Sequence, residues 1–126
     1  MSNKNNCSFI SLNVRGIRES NKRRNIFCFL KDQKASFYFL QETVSDRSDE
    51  SSWRHEWGGE IIFSHGTRHS KGVCILIDPS IKNYKVIYSH CDTFGRFVLI
   101  NLTIDCFFVM FTHLIIMRNK CYSFKI

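Results

Sequence analysis

Two short apolar runs flank a helix-like segment in the first part of the chain. Residues 7–14 (CSFISLNV) and 37–41 (FYFLQ) are rich in β-forming, apolar residues, so each predicts a buried strand. Between them, residues 19–34 predict an amphipathic helix that Ser20 or Asn21 could cap. Four of its positions have the spacing of one helix face: Ile26, Phe29, Leu30 and Gln33. Strand, helix and strand with short connections predict a βαβ unit with parallel strands and a right-handed crossover.

The remainder of the chain alternates short apolar runs with polar turns. Residues 43–52 (TVSDRSDESS) predict a loop, after which Trp53 and Trp57 indicate a short helical turn that Gly58 and Gly59 end. Five further runs at hairpin spacing predict strands, at residues 60–64, 72–77, 84–89, 97–103 and 106–111. The expected fold class is therefore α/β, with a βαβ start followed by an antiparallel meander in a single domain.

Length and hydropathy narrow the class of protein further. The chain has 126 residues, of which 44% are hydrophobic, so it can bury the core of one domain. Its longest apolar stretch, residues 106–117, has about 12 residues, whereas a bilayer span needs roughly 20. The first residues lack the apolar segment of a secretory signal, and the six cysteines form no CxxC pair. We therefore expect an intracellular protein of the cytoplasm or nucleus, with reduced thiols and no membrane association.

The charge balance points to a polyanionic partner. Lys and Arg outnumber Asp and Glu by 18 to 11, which gives a formal net charge of +7. One early run is especially basic and contains Arg15, Arg18, Lys22, Arg23 and Arg24. Such a surface attracts nucleic acid because each neutralised phosphate releases counterions. The alternative is a solvated basic helix face with no ligand.

Two polar residues stand where the strands of the predicted βαβ unit end. Asn13 closes the first strand and Glu42 closes the second. Because parallel neighbours share one carboxyl-terminal edge, where ligands of open α/β sheets bind, these side chains should lie together. A carboxylate and a carboxamide offer oxygen ligands suited to Mg²⁺, and Arg15 and Arg18 follow in positions suited to phosphate. Taken singly, each residue is better explained as structural, Asn13 as a turn former and Glu42 as a strand-end charge.

The loop that precedes residues 72–77 is basic and rich in histidine. It contains His65, Arg68, His69 and Lys71. These residues indicate a phosphate-facing rim, with an ordinary polar hairpin loop as the alternative. The spacing of the two histidines suits zinc only on a helix, which the neighbouring Gly66 disfavours.

Two segments resemble motifs of a known superfamily. Residues 11–17 (SLNVRGI) resemble the first motif of the endonuclease/exonuclease/phosphatase superfamily, and residues 39–43 (FLQET) resemble the second. Later segments support the resemblance, at residues 57–59, 64–66, 70–76 and 95–98. The combination of LNVRGI with QET is most similar to the endonuclease domain of LINE-type (non-LTR) retrotransposons. The resemblance covers roughly residues 8–109.

The resemblance implies a DNase I-like, two-sheet α/β sandwich and an Mg²⁺-dependent endonuclease that hydrolyses phosphodiesters and nicks DNA. On this analogy Glu42 is the main metal ligand, and Asn13 helps to position the metal or the scissile phosphate. Both are therefore candidate catalytic and metal-binding residues, with the metal acting as a Lewis acid for the developing oxyanion. The candidate phosphate and DNA contacts are Arg15, Arg18, Arg68 and Lys71.

The chain departs from the family pattern after residue 109. Residues 110–126 form a divergent tail without the Tyr-Ala-Pro strand, and the later Asp-x-Asn pair, second-sheet strands and terminal Ser-Asp-His are missing. We therefore expect residues 1–126 to be a single truncated domain, the N-terminal half of the sandwich. Half a sandwich would leave an apolar sheet face uncovered and lack activity.

Two other functions remain open at this point. The chain could be a non-catalytic remnant that binds nucleic acid through its basic surface. A DNA-repair or phosphoinositide-phosphatase member of the superfamily is the third interpretation, and the Gln-Glu-Thr motif disfavours it.

Overall fold

The computed structural model describes residues 8–66, 71–82, 84–91, 97–104 and 107–117, with side chains for 8–66, 71–82 and 84. The first half contains β1 (Phe9–Asn13), α1 (Ser20–Gln33), β2 (Phe37–Gln41), a 3-10 turn (Arg47–Asp49) and α2 (Glu50–Trp57). The second half contains β3 (Ile61–Ser64), β4 (Val73–Ile77), β5 (Tyr84–Cys91), β6 (Phe97–Ile104) and β7 (Phe107–Met117).

The first sheet has the strand order β1-β2-β4-β3. β1 and β2 pair in parallel, with Phe9 opposite Phe37 and Asn13 opposite Gln41, which confirms the predicted pairing of the βαβ unit. β4 pairs antiparallel with both β2 and β3. The strand order therefore departs from the chain order, since β4 and not β3 lies next to β2. Every residue of β4 is buried, which suits a strand with neighbours on both sides.

The second sheet consists of β5, β6 and β7 in an antiparallel meander. β6 and β7 lie against strands of the first sheet, and the first-sheet residues Phe37 and Ile75 are fully buried. Two expectations were therefore wrong. The described residues include three strands of a second sheet, and two of these strands cover a face of the first sheet. The chain contains strands of both layers of a sandwich.

The two helices share an apolar cluster with one face of the first sheet. The Trp57 ring lies edge-to-face with Phe27 and with Tyr38, at 5.4 Å between ring centroids in each pair. Its indole N–H donates to the backbone carbonyl of Ile77 at 2.7 Å, so this buried polar group is satisfied. These contacts therefore hold α1 and α2 against the middle of the first sheet.

Helix α1 lies within the predicted residues 19–34 but differs from the prediction in its cap and in part of its buried face. Glu19, rather than Ser20 or Asn21, caps the helix, and hydrogen bonds from two backbone N–H groups lower the pKa of its carboxyl. The buried positions are Arg23, Phe27 and Leu30, whereas Phe29 is 52% exposed. The predicted face was therefore right at Leu30 and at the partly buried Ile26 but wrong at Phe29 and Gln33, because Arg23 and Phe27 take inward positions.

Candidate active site

The carboxyl-terminal edge of β1 and β2 brings together the two predicted polar residues. Asn13 lies opposite Gln41, the last residue of β2, so Glu42, which follows the strand, comes beside it. The amide nitrogen of Asn13 donates a hydrogen bond to one carboxylate oxygen of Glu42. The amide oxygen of Asn13 accepts from the backbone N–H of Arg15 at 3.1 Å. Asn13 thus connects the Glu42 carboxylate to the loop that follows β1.

The backbone around Glu42 has an unusual conformation. Glu42 and Val44 have φ angles of 56° and 54°, in the left-handed region that residues with a Cβ seldom adopt. Arg15, on the facing loop, has a φ of 52°. Such a conformation costs about 1–3 kcal/mol per residue and persists only where the surroundings enforce it, often at functional sites.

Backbone hydrogen bonds from two sides hold this strained turn, which comprises residues 42–45. The carbonyls of Glu42 and Thr43 accept from the N–H groups of Gly16 and Ile17, at 2.6 and 3.2 Å. On the other side, the N–H groups of Thr43 and Val44 donate to the carbonyls of residues 72 and 71, at 3.2 and 2.6 Å. The turn is therefore held between the β1–α1 loop and the start of β4.

Lys71 supplies a positive charge next to Glu42. Its Nζ lies 3.2 Å from the second carboxylate oxygen, and the Lys71 side chain is 58% exposed against 17% for Glu42. The following residue, Gly72, has a φ of 86°, and a Cβ there would lie 2.9 Å from the backbone nitrogen of Gly66 and 3.1 Å from Thr43 Oγ1. Glycine is therefore required where the start of β4 passes close to the strained turn.

A cleft of about 350 Å³ opens beside the turn. It is lined by Arg18, Val44, Ser45, Asp46, His65, Gly66 and Lys71. Glu42 does not line it, but Lys71 belongs to the lining and contacts Glu42. The Glu42 carboxylate and the cleft are thus adjacent parts of one surface region that carries two cationic side chains.

The predicted phosphate contacts differ in how the structure places them. Arg15 and Arg18 are exposed on the loop after β1, and the Arg18 guanidinium lies 3.5 Å from Asp49. Lys71 contacts Glu42, as described above. Arg68 lies outside the described residues.

The basic run contains one residue that is structural. Arg23 is buried, with Nε and Nη2 donating to the Glu56 carboxylate at 2.5 and 2.7 Å and Nη1 donating to the carbonyls of Ile17 and Arg18. The hydrogen bonds with Glu56 raise the pKa of Arg23 and lower that of Glu56. The interpretation of Arg23 as a nucleic-acid contact was therefore wrong, because its guanidinium joins α1, α2 and the β1–α1 loop.

Sequence reasoning missed a partly buried chain of hydrogen bonds next to the turn. Ser45 Oγ lies 2.8 Å from His65 Nδ1, and His65 Nε2 lies 2.6 Å from a Glu50 carboxylate oxygen. Thr43 Oγ1 continues the chain at 3.2 Å from Ser45 Oγ. These residues come from the turn, from α2 and from the end of β3, so no local spacing announces the cluster.

The donor set at the edge fits a magnesium ion only in part. Within the described side chains, no group of three or more His, Cys, Asp or Glu residues could hold a metal ion. Mg²⁺ nevertheless binds commonly through one or two carboxylates together with water and substrate phosphates. The Glu42 carboxylate meets that minimal requirement, whereas the amide oxygen of Asn13 is engaged by Arg15.

No helix among the described residues is long and apolar enough to span a membrane.

Comparisons with known proteins support the fold and connect the chain to a transposon. Over 75 residues the chain is 36% identical to a Xenopus laevis protein named "Transposon TX1 uncharacterized 149 kDa protein", a match that covers 60% of this chain and 6% of that protein. No protein-family model matches the chain.

Two solved structures share the fold at low sequence identity. An AP endonuclease from Leishmania major has a TM-score of 0.61 at 17% identity, covering 83% of this chain and 38% of its own. TDP2 from D. rerio, complexed with a single-strand DNA product, has a TM-score of 0.55 at 20% identity, covering 89% of this chain and 44% of its own. The chain thus spans about two fifths of these structures and a small fraction of the transposon protein.

These matches agree with the mixed α/β architecture of the chain and with the motif resemblance. The chain has an endonuclease/exonuclease/phosphatase-like fold, of which it forms one part, and a transposon protein is among its sequence relatives.

Proposed function

We propose that this chain is an endonuclease-type domain of a non-LTR retrotransposon, built for Mg²⁺-dependent hydrolysis of DNA phosphodiesters. The observation that carries the proposal is the Glu42 carboxylate, presented by a strained turn at the sheet edge beside a cationic cleft. The transposon relative and the nuclease-like fold support the same function.

Glu42 is the residue that would hold the metal. When bound, Mg²⁺ would supply Lewis-acid charge at the phosphate under attack. Asn13 donates to one oxygen of the carboxylate and so fixes its orientation, which makes Asn13 a positioning residue for metal and scissile phosphate. Lys71 lies at the other oxygen and carries a charge that can bind phosphate as the DNA enters.

The exposed arginines would bind the DNA backbone. Arg15 and Arg18 lie on the loop that faces the strained turn, and Arg18 lines the cleft together with Lys71. Guanidinium groups suit phosphate because they present two parallel N–H donors. We propose the same role for Arg68, on the basis of the sequence alone.

A second candidate function is nucleic-acid binding without cleavage. Hydrolysis needs a general base within hydrogen-bond reach of the attacking water. In the superfamily that the chain resembles, the Asp-x-Asn and Ser-Asp-His motifs would supply such groups. Neither motif occurs in residues 1–126. We infer that this chain by itself binds DNA and hydrolyses its phosphodiester bonds slowly or not at all.

A supercoiled-plasmid nicking assay in Mg²⁺, run with a DNA-binding titration, tests both candidates. We expect weak, sequence-independent binding that weakens steeply with salt, and no nicking above the level measured with EDTA. Nicking that disappears in Glu42→Gln but persists in Asp32→Asn, an exposed carboxylate on α1, would show that the chain alone is catalytic. Failure to bind DNA even at low salt would contradict both candidates.

A further inference from the structure

The strained turn needs support beyond its backbone hydrogen bonds. Glu42 and Val44 both adopt left-handed backbone angles without being glycine, so their neighbours must hold them there. Val44 is also 40% exposed, so apolar burial only partly stabilises its position. Thr43 and Ser45, which alternate with these two residues, are by contrast buried and carry hydroxyl groups.

Those two hydroxyls belong to one continuous hydrogen-bond chain. A carboxylate only accepts, so Glu50 requires a proton on His65 Nε2. With the ring neutral, Nδ1 is then the acceptor of a hydrogen bond that the Ser45 hydroxyl donates. The Ser45 oxygen in turn accepts from Thr43 Oγ1, so each hydrogen in the chain has an acceptor.

At its Glu50 end, this chain of hydrogen bonds is attached to regular secondary structure. Glu50 is the first residue of α2, and its other carboxylate oxygen lies 3.3 Å from Nη1 of Arg54, one turn along the helix. The His65 ring stacks on Phe63 of β3 with 5.1 Å between ring centroids, and its side chain is 22% exposed. The imidazole is therefore held by packing as well as by hydrogen bonds.

The same order of groups, carboxylate, imidazole and hydroxyl, also occurs in hydrolases that use a serine nucleophile. Here Ser45 is buried, and its oxygen is engaged by both His65 and Thr43. Ser45 and His65 line the cleft, but Ser45 is only 7% exposed and its hydroxyl is occupied by two hydrogen bonds. This arrangement favours support of the backbone over nucleophilic attack.

We propose that His65 is a positioning residue, which acts through Ser45 and Thr43 to hold the turn that presents the Glu42 carboxylate. This inference rests on the proposed function for the role of Glu42. The positioning itself is independent of metal and DNA, because it concerns the geometry of the turn.

Two conservative replacements distinguish the contribution of Nδ1 from that of Nε2 in the His65 ring. His65→Asn keeps an acceptor near the position of Nδ1 and loses the reach to Glu50. His65→Gln keeps a donor near the position of Nε2 and loses the contact with Ser45. If support of the turn runs through Nδ1, Asn preserves it and Gln does not.

Hydrogen exchange of the Val44 amide measures the turn directly, because that N–H donates to the Lys71 carbonyl at 2.6 Å. We expect exchange at least about tenfold faster in His65→Gln and in Ser45→Ala, and within about threefold of wild type in His65→Asn. His55→Asn, at an exposed histidine of α2, is the matched control and should leave the rate unchanged. The Ser45→Ala variant tests the same contact if His65→Gln fails to fold.

The affinity for Mn²⁺, a spectroscopic substitute for Mg²⁺, links the turn to Glu42. It should fall about tenfold in His65→Gln and stay near wild type in His65→Asn. Equal exchange rates in the Asn and Gln variants, or no change in any variant, would overturn the positioning role. Wild-type protein that binds Mn²⁺ no better than Glu42→Gln would instead contradict the proposed function, while the exchange result would still decide the role of His65.

Discussion

Strand β2 and the turn that directly follows it differ in what stabilises them. All five residues of β2 are buried, and the strand is paired on both sides. In the turn, Glu42 and Val44 take left-handed conformations and Lys71 brings a solvent-exposed charge against a carboxylate. Apolar burial stabilises the strand, whereas its neighbours hold the turn in an unfavourable geometry. The free energy of the packed layer therefore offsets the backbone strain at the candidate site.

The largest expected effect concerns the packed layer. Trp57→Ala should lower the free energy of unfolding by about 3–5 kcal/mol, because it leaves a cavity between Phe27 and Tyr38 and an unsatisfied Ile77 carbonyl. Phe29→Ala, at a mostly exposed position, should change it by no more than about 1 kcal/mol. Urea denaturation of both variants measures the difference. A similar loss for both would contradict the assigned helix face.

The second largest effect is expected at Arg23, which connects the two helices to the β1–α1 loop. Arg23→Ala should cost about 2–3 kcal/mol, because it leaves the buried Ile17 carbonyl and the Glu56 carboxylate without their donor. The neighbouring exposed residue provides the control, and Arg24→Ala should stay within about 0.5 kcal/mol of wild type. Thermal or urea unfolding distinguishes the two. Equal effects would mean that Arg23 is a surface residue after all.

Relief of strain in the turn should have the opposite sign. Val44→Gly removes a left-handed conformation that costs about 1–2 kcal/mol and introduces a glycine entropy cost of about 0.5–1 kcal/mol. We therefore expect a gain of up to about 1 kcal/mol, measured by urea denaturation. The same substitution at Val73, a buried residue of β4, should destabilise instead. A loss of stability in Val44→Gly would refute the view that the turn is strained.

These comparisons show which features the sequence could predict. The meeting of Asn13 and Glu42 follows from two apolar runs joined by one helix, since parallel pairing brings their ends together. The buried position of Arg23 did not follow, because its partner Glu56 is distant in sequence and local periodicity assigns arginine to solvent. The chain through His65 was missed for the same reason.

The position of β4 next to β2 also depends on long-range packing. A hairpin signal shows that β3 and β4 pair, but it does not say which of the two continues the sheet. The uninterrupted burial of β4 is the physical reason for its central place.

The smallest expected effect is a dependence of stability on pH. Hydrogen bonds from Arg23 lower the pKa of Glu56 below its usual 4.5. The stabilisation is therefore present above that usual value and is lost as the pH falls through the lowered pKa of the folded state. Because the Glu56 side chain is 36% exposed, solvent screening keeps the effect below about 1 kcal/mol.

Unfolding measured from neutral to acidic pH tests this sign. The stability difference between wild type and Glu56→Gln should shrink as the pH falls, and it should be absent at every pH in an Arg23→Ala background. A difference that grows towards low pH would contradict the assigned pair.

The central claim is that the strained turn presents Glu42 as the metal-binding carboxylate. Titration of the intact chain with Mn²⁺, followed by the relaxation rate of water protons, measures this most directly. We predict that wild type and Asp32→Asn bind the ion and that Glu42→Gln binds it at least about tenfold more weakly. Equal affinity in Glu42→Gln and wild type would contradict the account.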